Sequence, residues 1–135
     1  MNYVMTSVAI LVLILCLCLL FTWLSDRYLE ENRELLHDAA DFLSMEDWDS
    51  VIICTEDAEE HWDAHKAFFR SLLDHQELED IDRAFISLLA YARSEETLSY
   101  YVTYTRLLSM LEHIQEMDDP KLYNILAPIV NHRRN

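Results

Sequence analysis

The chain has no glycine in 135 residues, whereas an average composition would supply about nine. Glycine adopts positive φ at little cost, so phosphate-binding loops, nucleophile elbows, EF-hand loops and tight β-turns depend on it. Its absence argues against most nucleotide-binding and hydrolase classes. Proline is also scarce, and the two prolines, Pro120 and Pro128, come late. With no strong helix breaker before residue 119, the sequence predicts an all-α protein.

Acidic and basic side chains are absent from residues 1–25, and Asp26 is the first charge. Within that stretch Val4–Leu24 is almost wholly aliphatic, and as a helix it would be about 30 Å long, which matches the hydrocarbon core of a bilayer. Its 13 Val, Ile, Leu and Phe residues, at about −0.4 kcal/mol each, favour insertion by several kcal/mol. The sequence therefore predicts a transmembrane helix that contacts the lipid bilayer through Val4–Leu24.

Signal-peptide features are weak in this segment, because it has no basic start and no Ala-x-Ala cleavage pattern. Cys16 and Cys18 each follow leucine, where a lipoprotein signal has a small residue. We therefore predict an uncleaved single-pass anchor, with a cleaved and secreted helical protein as an alternative. The predicted organisation is an anchor (1–25), a juxtamembrane helix (26–44), a helical bundle (45–118), and a short C-terminal helix with a basic tail (119–135).

Basic residues are few: 10 Lys and Arg stand against 25 Asp and Glu, and all of them lie beyond residue 25. The net charge of −15 argues against nucleic acid as a partner, since phosphates need cationic contacts. It also predicts that the domain stands off anionic headgroups. Cys54 is the only cysteine beyond the anchor, so the domain has no intrachain disulfide.

Heptad spacing predicts the helices. Leu29, Leu36 and Leu43 form a seam that serves either as an intramolecular core or as a homodimer stalk. Ser44 with Asp47 resembles a capping box that would start a second helix. Apolar positions recur every seven residues along that helix and then shift register near residues 74–76, where we predict a turn; the two seams are Trp48, Thr55, Trp62 and Phe69, then Leu78, Ile81, Phe85, Leu88 and Ala92.

A fourth helix is predicted to start at Ser94 as its N-cap. Its predicted inner face consists of Leu98, Tyr101, Thr105, Leu108 and Leu111. Asp119 followed by Pro120 resembles the start of a separate short helix. The predicted fold is thus an N-terminal transmembrane helix that continues into a small bundle of three to four helices.

The best chemical candidate is one face of the second helix, which carries Asp57, His61 and His65 at intervals of four, with Cys54 one turn earlier. Residues at i and i+4 stack on a helix, so two imidazoles there can share a metal. However, Trp62 occupies the position of the zincin base, and the chain has one Glu-x-x-His where di-iron bundles need two. The simpler interpretation is an inward His65 bonded to a neighbour and a surface His61. We assign no catalytic residues and no cofactor.

Three further residues are candidates for partner contact. Phe68 and Phe69 are adjacent, so both cannot face one seam, and one of them should meet a third helix, a partner or solvent. His75 follows Asp74 at the register shift and is either a structural cap or a pH-sensing or ligand-binding residue.

Several short motifs, in order, resemble a family of small single-span proteins from Firmicutes and related bacteria, domain of unknown function 4363. The motifs are Glu46-Asp47-Trp48, Trp62 with Phe69, Asp74-His75-x-Glu77-Leu78-x-x-Ile81, Tyr91, and Leu111-Glu112-His113-Ile114. The likeness extends to about residue 117 and implies an architecture without an activity. Such proteins commonly carry Lys or Arg before the span, which places the domain outside the cell. This chain lacks that residue, and Arg27 and Arg33 after the span favour a cytoplasmic domain; the resemblance implies an extracytoplasmic one.

The expected function is non-enzymatic: a membrane-anchored interaction or scaffold module whose partner is another membrane protein. The alternative is a sensor that binds a metal or small ligand through the histidines of the second helix.

Overall fold

A computed structural model describes the backbone of residues 2–131 and the side chains of residues 2–116. It contains four helices in chain order, α1 (Asn2–Ser44), α2 (Trp48–Phe69), α3 (His75–Arg93) and α4 (Thr97–Asn131), and no strand within the described backbone. This confirms the predicted all-α class and the small bundle that follows an apolar N-terminal helix. Each helix packs against two neighbours, in the order α1, α2, α3, α4 and back to α1.

Helix α1 continues without interruption from the apolar segment into the bundle, as its pattern predicts. Residues 2–20 are exposed all round, and burial begins at Phe21. From there Ser25, Leu29, Asn32 and Leu36 are buried against the other helices. One helix therefore has two environments, and no linker separates them.

The three heptad leucines of α1 belong to the core of the single chain, since Leu29, Leu36 and Leu43 are 1%, 0% and 7% exposed. They pack with the predicted seams of α2 and α3, whose inner residues are buried except for half-buried Trp48. The leucines thus occupy the intramolecular core, the first of the two predicted alternatives, and the homodimer through Leu29, Leu36 and Leu43 stays a prediction.

The two ends of the bundle differ. The base, where α1 enters, includes Phe21, Phe68 and the α2–α3 turn (residues 70–74), and the Phe21 and Phe68 ring centroids are 4.4 Å apart. The far end contains the α1–α2 turn (residues 45–47) and the α3–α4 turn (residues 94–96). Trp48 and Tyr100 meet there, with ring centroids 6.4 Å apart.

Helix starts differ in detail from the predictions. The N-cap of α2 is Asp47, whose carboxylate accepts the backbone N–H of Ser50, whereas Ser44 ends α1 and its hydroxyl donates to the carbonyl of Asp41. The predicted turn near 74–76 is confirmed: Asp74 is the N-cap of α3, and its carboxylate accepts the N–H of Glu77 at 2.8 Å. A carboxylate satisfies a free helix N–H and also suits the helix dipole, so aspartate replaces the predicted serine.

Ser94 was wrongly predicted as an N-cap, and the inner face of α4 was predicted only in part: Leu111 is buried and Leu108 half-buried, but the other predicted residues are exposed. Ser94 is the C-cap of α3, and α4 begins at Thr97. The buried face of α4 is Tyr100, Tyr104, Leu107, Leu111 and Ile114, whereas Leu98 and Tyr101 are 77% and 53% exposed. Two apolar stripes overlap on this helix, and burial selects the one whose tyrosine hydroxyls find partners in the core and at its edge.

A separate C-terminal helix was predicted from Pro120, but α4 continues through it to Asn131. Proline disfavours a helix interior by about 3 kcal/mol without necessarily ending the helix. The predicted basic tail, residues 132–135, lies outside the described residues.

Candidate functional site

His61 and His65 lie side by side on α2, with ring centroids 4.4 Å apart and ring planes inclined at 39°. The Nε2 atom of His61 lies 3.0 Å from Oε2 of Glu31 on α1, and Nδ1 of His65 lies 2.8 Å from the carbonyl oxygen of His61. A carbonyl or carboxylate oxygen accepts, so each of these ring nitrogens donates its hydrogen. One nitrogen of each imidazole is therefore committed within the fold and presents no lone pair to a metal.

Asp57 does not join the pair. It is exposed on α2, and within residues 2–116 no group of three or more His, Cys, Asp or Glu side chains is placed to hold a metal ion. Both histidines are half-buried, so His61 is less exposed than the simpler sequence interpretation expects. The α2 spacing alone could not reveal Glu31, because that partner comes from another helix.

Glu31 connects this histidine face to the surface of α1. Its carboxylate accepts from Nε of Arg27 at 3.1 Å and from His61. These hydrogen bonds, with Arg27 the stronger influence and His61 next, lower the pKa of Glu31. The carboxylate is held ionised next to an imidazole, an arrangement that fixes α1 against α2.

An aromatic column runs from the histidines to the base of the bundle. The Tyr28 ring lies 3.9 Å from the His65 ring and 5.4 Å from the Phe68 ring, and Phe68 in turn contacts Phe21. Phe68 thus meets α1, the third-helix outcome among those predicted. Phe69 is 1% exposed and stacks on Trp62 in the core, which leaves it no surface for a partner.

His75, the remaining partner candidate, lies on the surface in the first turn of α3. Its Nε2 is 3.0 Å from Oε1 of Glu79, one turn along, and its side chain is 88% exposed. The cap at this turn is Asp74, so the structural role predicted for His75 belongs to its neighbour.

Buried polar contacts between the helices were missed by sequence reasoning. Asn32 is 1% exposed, and its Nδ2 donates to the carbonyl of Ala58 at 2.8 Å. The Thr55 hydroxyl donates to the carbonyl of Val51 and therefore accepts from the Tyr100 hydroxyl, 2.7 Å away. Burial raises the pKa of Tyr100 to about 12. These residues lie within apolar seams, and only the partner across the interface shows why a polar group is tolerated there.

Asp82 joins α3 to α2 at the edge of the core. Its carboxylate accepts from Nε1 of Trp62 at 2.9 Å and also from the ammonium of Lys66. Trp62, a predicted core residue, thus buries its ring and still satisfies its only donor. The contact sets the register of the two helices.

A groove of about 470 Å³ lies between α3 and α4. Ile81, Met110 and Ile114 line its apolar part, and Arg106 and His113 are among the polar residues along it. No nucleophile there is hydrogen-bonded to a base among the described residues. The lining of the groove is amphipathic.

A family model described as domain of unknown function (DUF4363) matches residues 26–125. The chain belongs to this family. The match confirms the resemblance noted from the motifs, although it says nothing about the bacterial group of origin. A comparison with curated proteins found no match to the chain, and a comparison with solved structures found none either.

The DUF4363 match starts at the first charged residue, 26, which lies one residue after buried Ser25. It therefore covers all of the bundle except the few residues of α1 at the base. The histidine face, the aromatic column and the buried polar contacts fall almost entirely within it. The family description assigns no activity to any of these features.

Proposed function

We propose that this DUF4363 protein is an uncleaved, single-pass membrane protein whose bundle is a non-enzymatic interaction module for another membrane protein. The observation that carries the proposal is the division of α1. Among the described helices, α1 alone is long and apolar enough to cross a membrane. The most apolar 18 residues of α1 lie in its first half, have a mean hydropathy of 3.0 and are not buried, whereas its second half is part of the core.

Packing at the base favours retention of the apolar segment over cleavage. A signal peptidase cut after residue 25 would remove Phe21, which covers Phe68, and Ser25, which is fully buried. A secreted chain would then expose an aromatic ring at the base of its bundle. A membrane helix that is also the first part of the bundle avoids this cost.

The lack of a third ligating side chain beside the two histidines, among residues 2–116, favours an interaction module over the alternative of a metal sensor. The bonded ring nitrogen of His61 donates to Glu31 and joins α2 to α1, and the bonded ring nitrogen of His65 donates to the carbonyl oxygen of His61 within α2. We therefore assign them a packing role and propose partner contact through the exposed surfaces of the span and bundle.

Photocrosslinking around the span tests the proposal. A photoreactive amino acid is placed in turn at Leu11, Val12, Leu13 and Ile14, which are all more than half exposed and together sample every side of the helix. A membrane partner that binds one side should give a protein crosslink at one or two of these positions in cells. The matched control places the same residue at Trp62, inside the core.

Crosslinks to no protein at any of the four positions, with a monomeric chain recovered intact from native membranes, would rule out a partner along the span. Uniform crosslinking at all four would indicate random encounters. Carbonate extraction with N-terminal sequencing gives an independent result: a soluble chain that starts near residue 26 would overturn the anchor itself.

For orientation, we propose that the bundle is extracytoplasmic, on the strength of the family resemblance and against the lysine and arginine count. A cysteine at position 45 tests this with a membrane-impermeant maleimide on intact cells, because Met45 is 69% exposed. Cys54 should be replaced by serine in this variant: it is half-buried, and burial raises the pKa of its thiol. Labelling only after the cells are broken would place the bundle in the cytoplasm.

A further inference from the structure

We propose that the base of the bundle lies in the lipid headgroup layer of the bilayer that holds α1, with Trp23, Arg27 and the α2–α3 turn at headgroup level. The inference rests on the proposed membrane anchorage and adds a second contact surface to it. It replaces the expectation, drawn from net charge alone, that the domain stands off the membrane.

The length of free helix carries the argument. Residues 2–20 are exposed, and packing against the bundle begins at Phe21. These 19 residues span about 28 Å, nearly the full hydrocarbon thickness of about 30 Å. A stand-off of about 10 Å would draw about seven apolar residues out of the lipid and into water. The span has no spare length for a stalk.

The junction also lacks a hinge that would let the bundle swing away from the surface. Helix α1 is continuous through the base, and Phe68 of α2 packs on both Phe21 and Tyr28. Contacts on both sides of residue 25 therefore hold α2 and the turn that follows it next to the emerging span. The position of the base relative to the bilayer is then set by the depth of α1.

The net charge of −15 is unevenly distributed, and the base carries less of it than the far end. Around the base, residues 26–30, 66–76 and 115–116 contain three basic and four acidic side chains, whereas residues 44–49 and 94–96 at the far end contain five acidic side chains and no basic one. Helix α2 separates the two ends by 22 residues, about 33 Å. That distance is several times the Debye length of about 8 Å at physiological salt, so headgroups scarcely sense the far-end acids.

Side chains at the level of the base suit an interface. Trp23 is 55% exposed, one turn beyond the fully exposed apolar helix, and the Arg27 guanidinium lies 5.4 Å from its ring centroid. Tryptophan is enriched at the headgroup level, and arginine extends its charge toward phosphates while its stem covers apolar surface. Across the base, Arg70 is exposed at the C-terminal end of α2.

Depth-dependent fluorescence quenching tests the proposal on the full chain. In a background with Cys16, Cys18 and Cys54 changed to alanine, a single Ser71→Cys at the base or Met45→Cys at the far end carries an environment-sensitive dye. Both native residues are exposed, so neither label enters the core. Each protein is reconstituted into phosphatidylcholine vesicles with and without lipid that bears a nitroxide on its headgroup, and co-flotation with vesicles is measured in parallel.

We expect the label at position 71 to be quenched several-fold more than the label at position 45. Gln76→Cys at the base and Leu98→Cys at the far end form a second pair, so the result does not depend on one variant. Proteins that float with vesicles but show equal quenching at both ends would overturn headgroup contact and leave the anchor standing. Failure to float would overturn the anchor and this inference together.

Discussion

Removing the hydroxyl of Thr55 should destabilise the bundle more than removing that of Tyr100, and removing both should restore stability. The hydroxyls are 2.7 Å apart and both side chains are 0% exposed. Thr55 donates to Val51, so Tyr100 must donate to Thr55. Thr55→Val leaves the tyrosine O–H buried without an acceptor, whereas Tyr100→Phe leaves Thr55 bonded to Val51.

The magnitudes follow from this asymmetry. Tyr100→Phe should lower the free energy of unfolding by about 1 kcal/mol, the net value of one hydrogen bond. Thr55→Val should lower it by about 2 kcal/mol, because it strands a buried polar group. The double variant should be more stable than Thr55→Val alone, since apolar replacement of both partners is nearly neutral.

Denaturant unfolding of the full chain in detergent measures these differences, and tryptophan fluorescence is a suitable probe because Trp48 lies 6.4 Å from the Tyr100 ring. The matched control is Thr105→Val, an exposed threonine on α4 that donates to the carbonyl of Val102; its effect should stay within about 0.5 kcal/mol. A double variant whose loss equals the sum of the single losses would show that the two hydroxyls are not paired.

A pH dependence follows from the same residue. The pKa of Tyr100 is about 12 in the folded chain against 10.0 as its reference value, because burial disfavours the phenolate. The folded state then holds this proton more tightly, so stability is full below pH 10 and falls as the pH rises from 10 toward 12, by roughly 2 kcal/mol. Tyr100→Phe should remove this part of the alkaline loss.

Three other changes have predicted outcomes. Glu31→Gln should make the free energy of unfolding depend less on pH in the acid range. The lowered pKa of Glu31 stabilises the fold above about pH 4.5, and that contribution is lost as the pH falls below it. Denaturant unfolding at pH 3 and at pH 7 measures the difference. Phe68→Ala should cost about 2 kcal/mol as a half-buried ring, whereas Ile53→Ala on the exposed side of α2 should change stability by less than about 0.5 kcal/mol, both by denaturant titration. Glu46→Gly and Glu95→Gly should each raise the melting temperature, because these glutamates hold φ of 59° and 55°, which costs a non-glycine residue about 1 kcal/mol; an unchanged or lower value would show that the side chains compensate.

The periodicity of apolar residues predicted most of the core, but it failed on α4, where two apolar stripes overlap. The seams of α1, α2 and α3 each offer one dominant apolar stripe, and burial follows it. Helix α4 offers two, and the choice between Tyr100 and Tyr101 depends on partners from α2 and α1 that no local pattern contains. The candidate site shows the same limit: the spacing of His61 and His65 was visible in the sequence, but Glu31 comes from another helix.

Two of the turns between helices close without glycine. At the far end, Glu46 and Glu95 both adopt positive φ, and the residues that follow them close the turns through backbone bonds from Asp47 to Phe42 and from Glu96 to Tyr91. This is the closure that glycine usually provides. A chain that lacks glycine thus obtains two tight helical turns at a cost in backbone strain and keeps acidic side chains there.

If the base lies at the headgroups, these two turns are the part of the bundle farthest from the bilayer. A partner that approaches from solution would meet the acidic end first, whereas one embedded in the bilayer would meet the span. Because α1 is one helix from Asn2 to Ser44, a partner that rotates or tilts the span must also move the bundle.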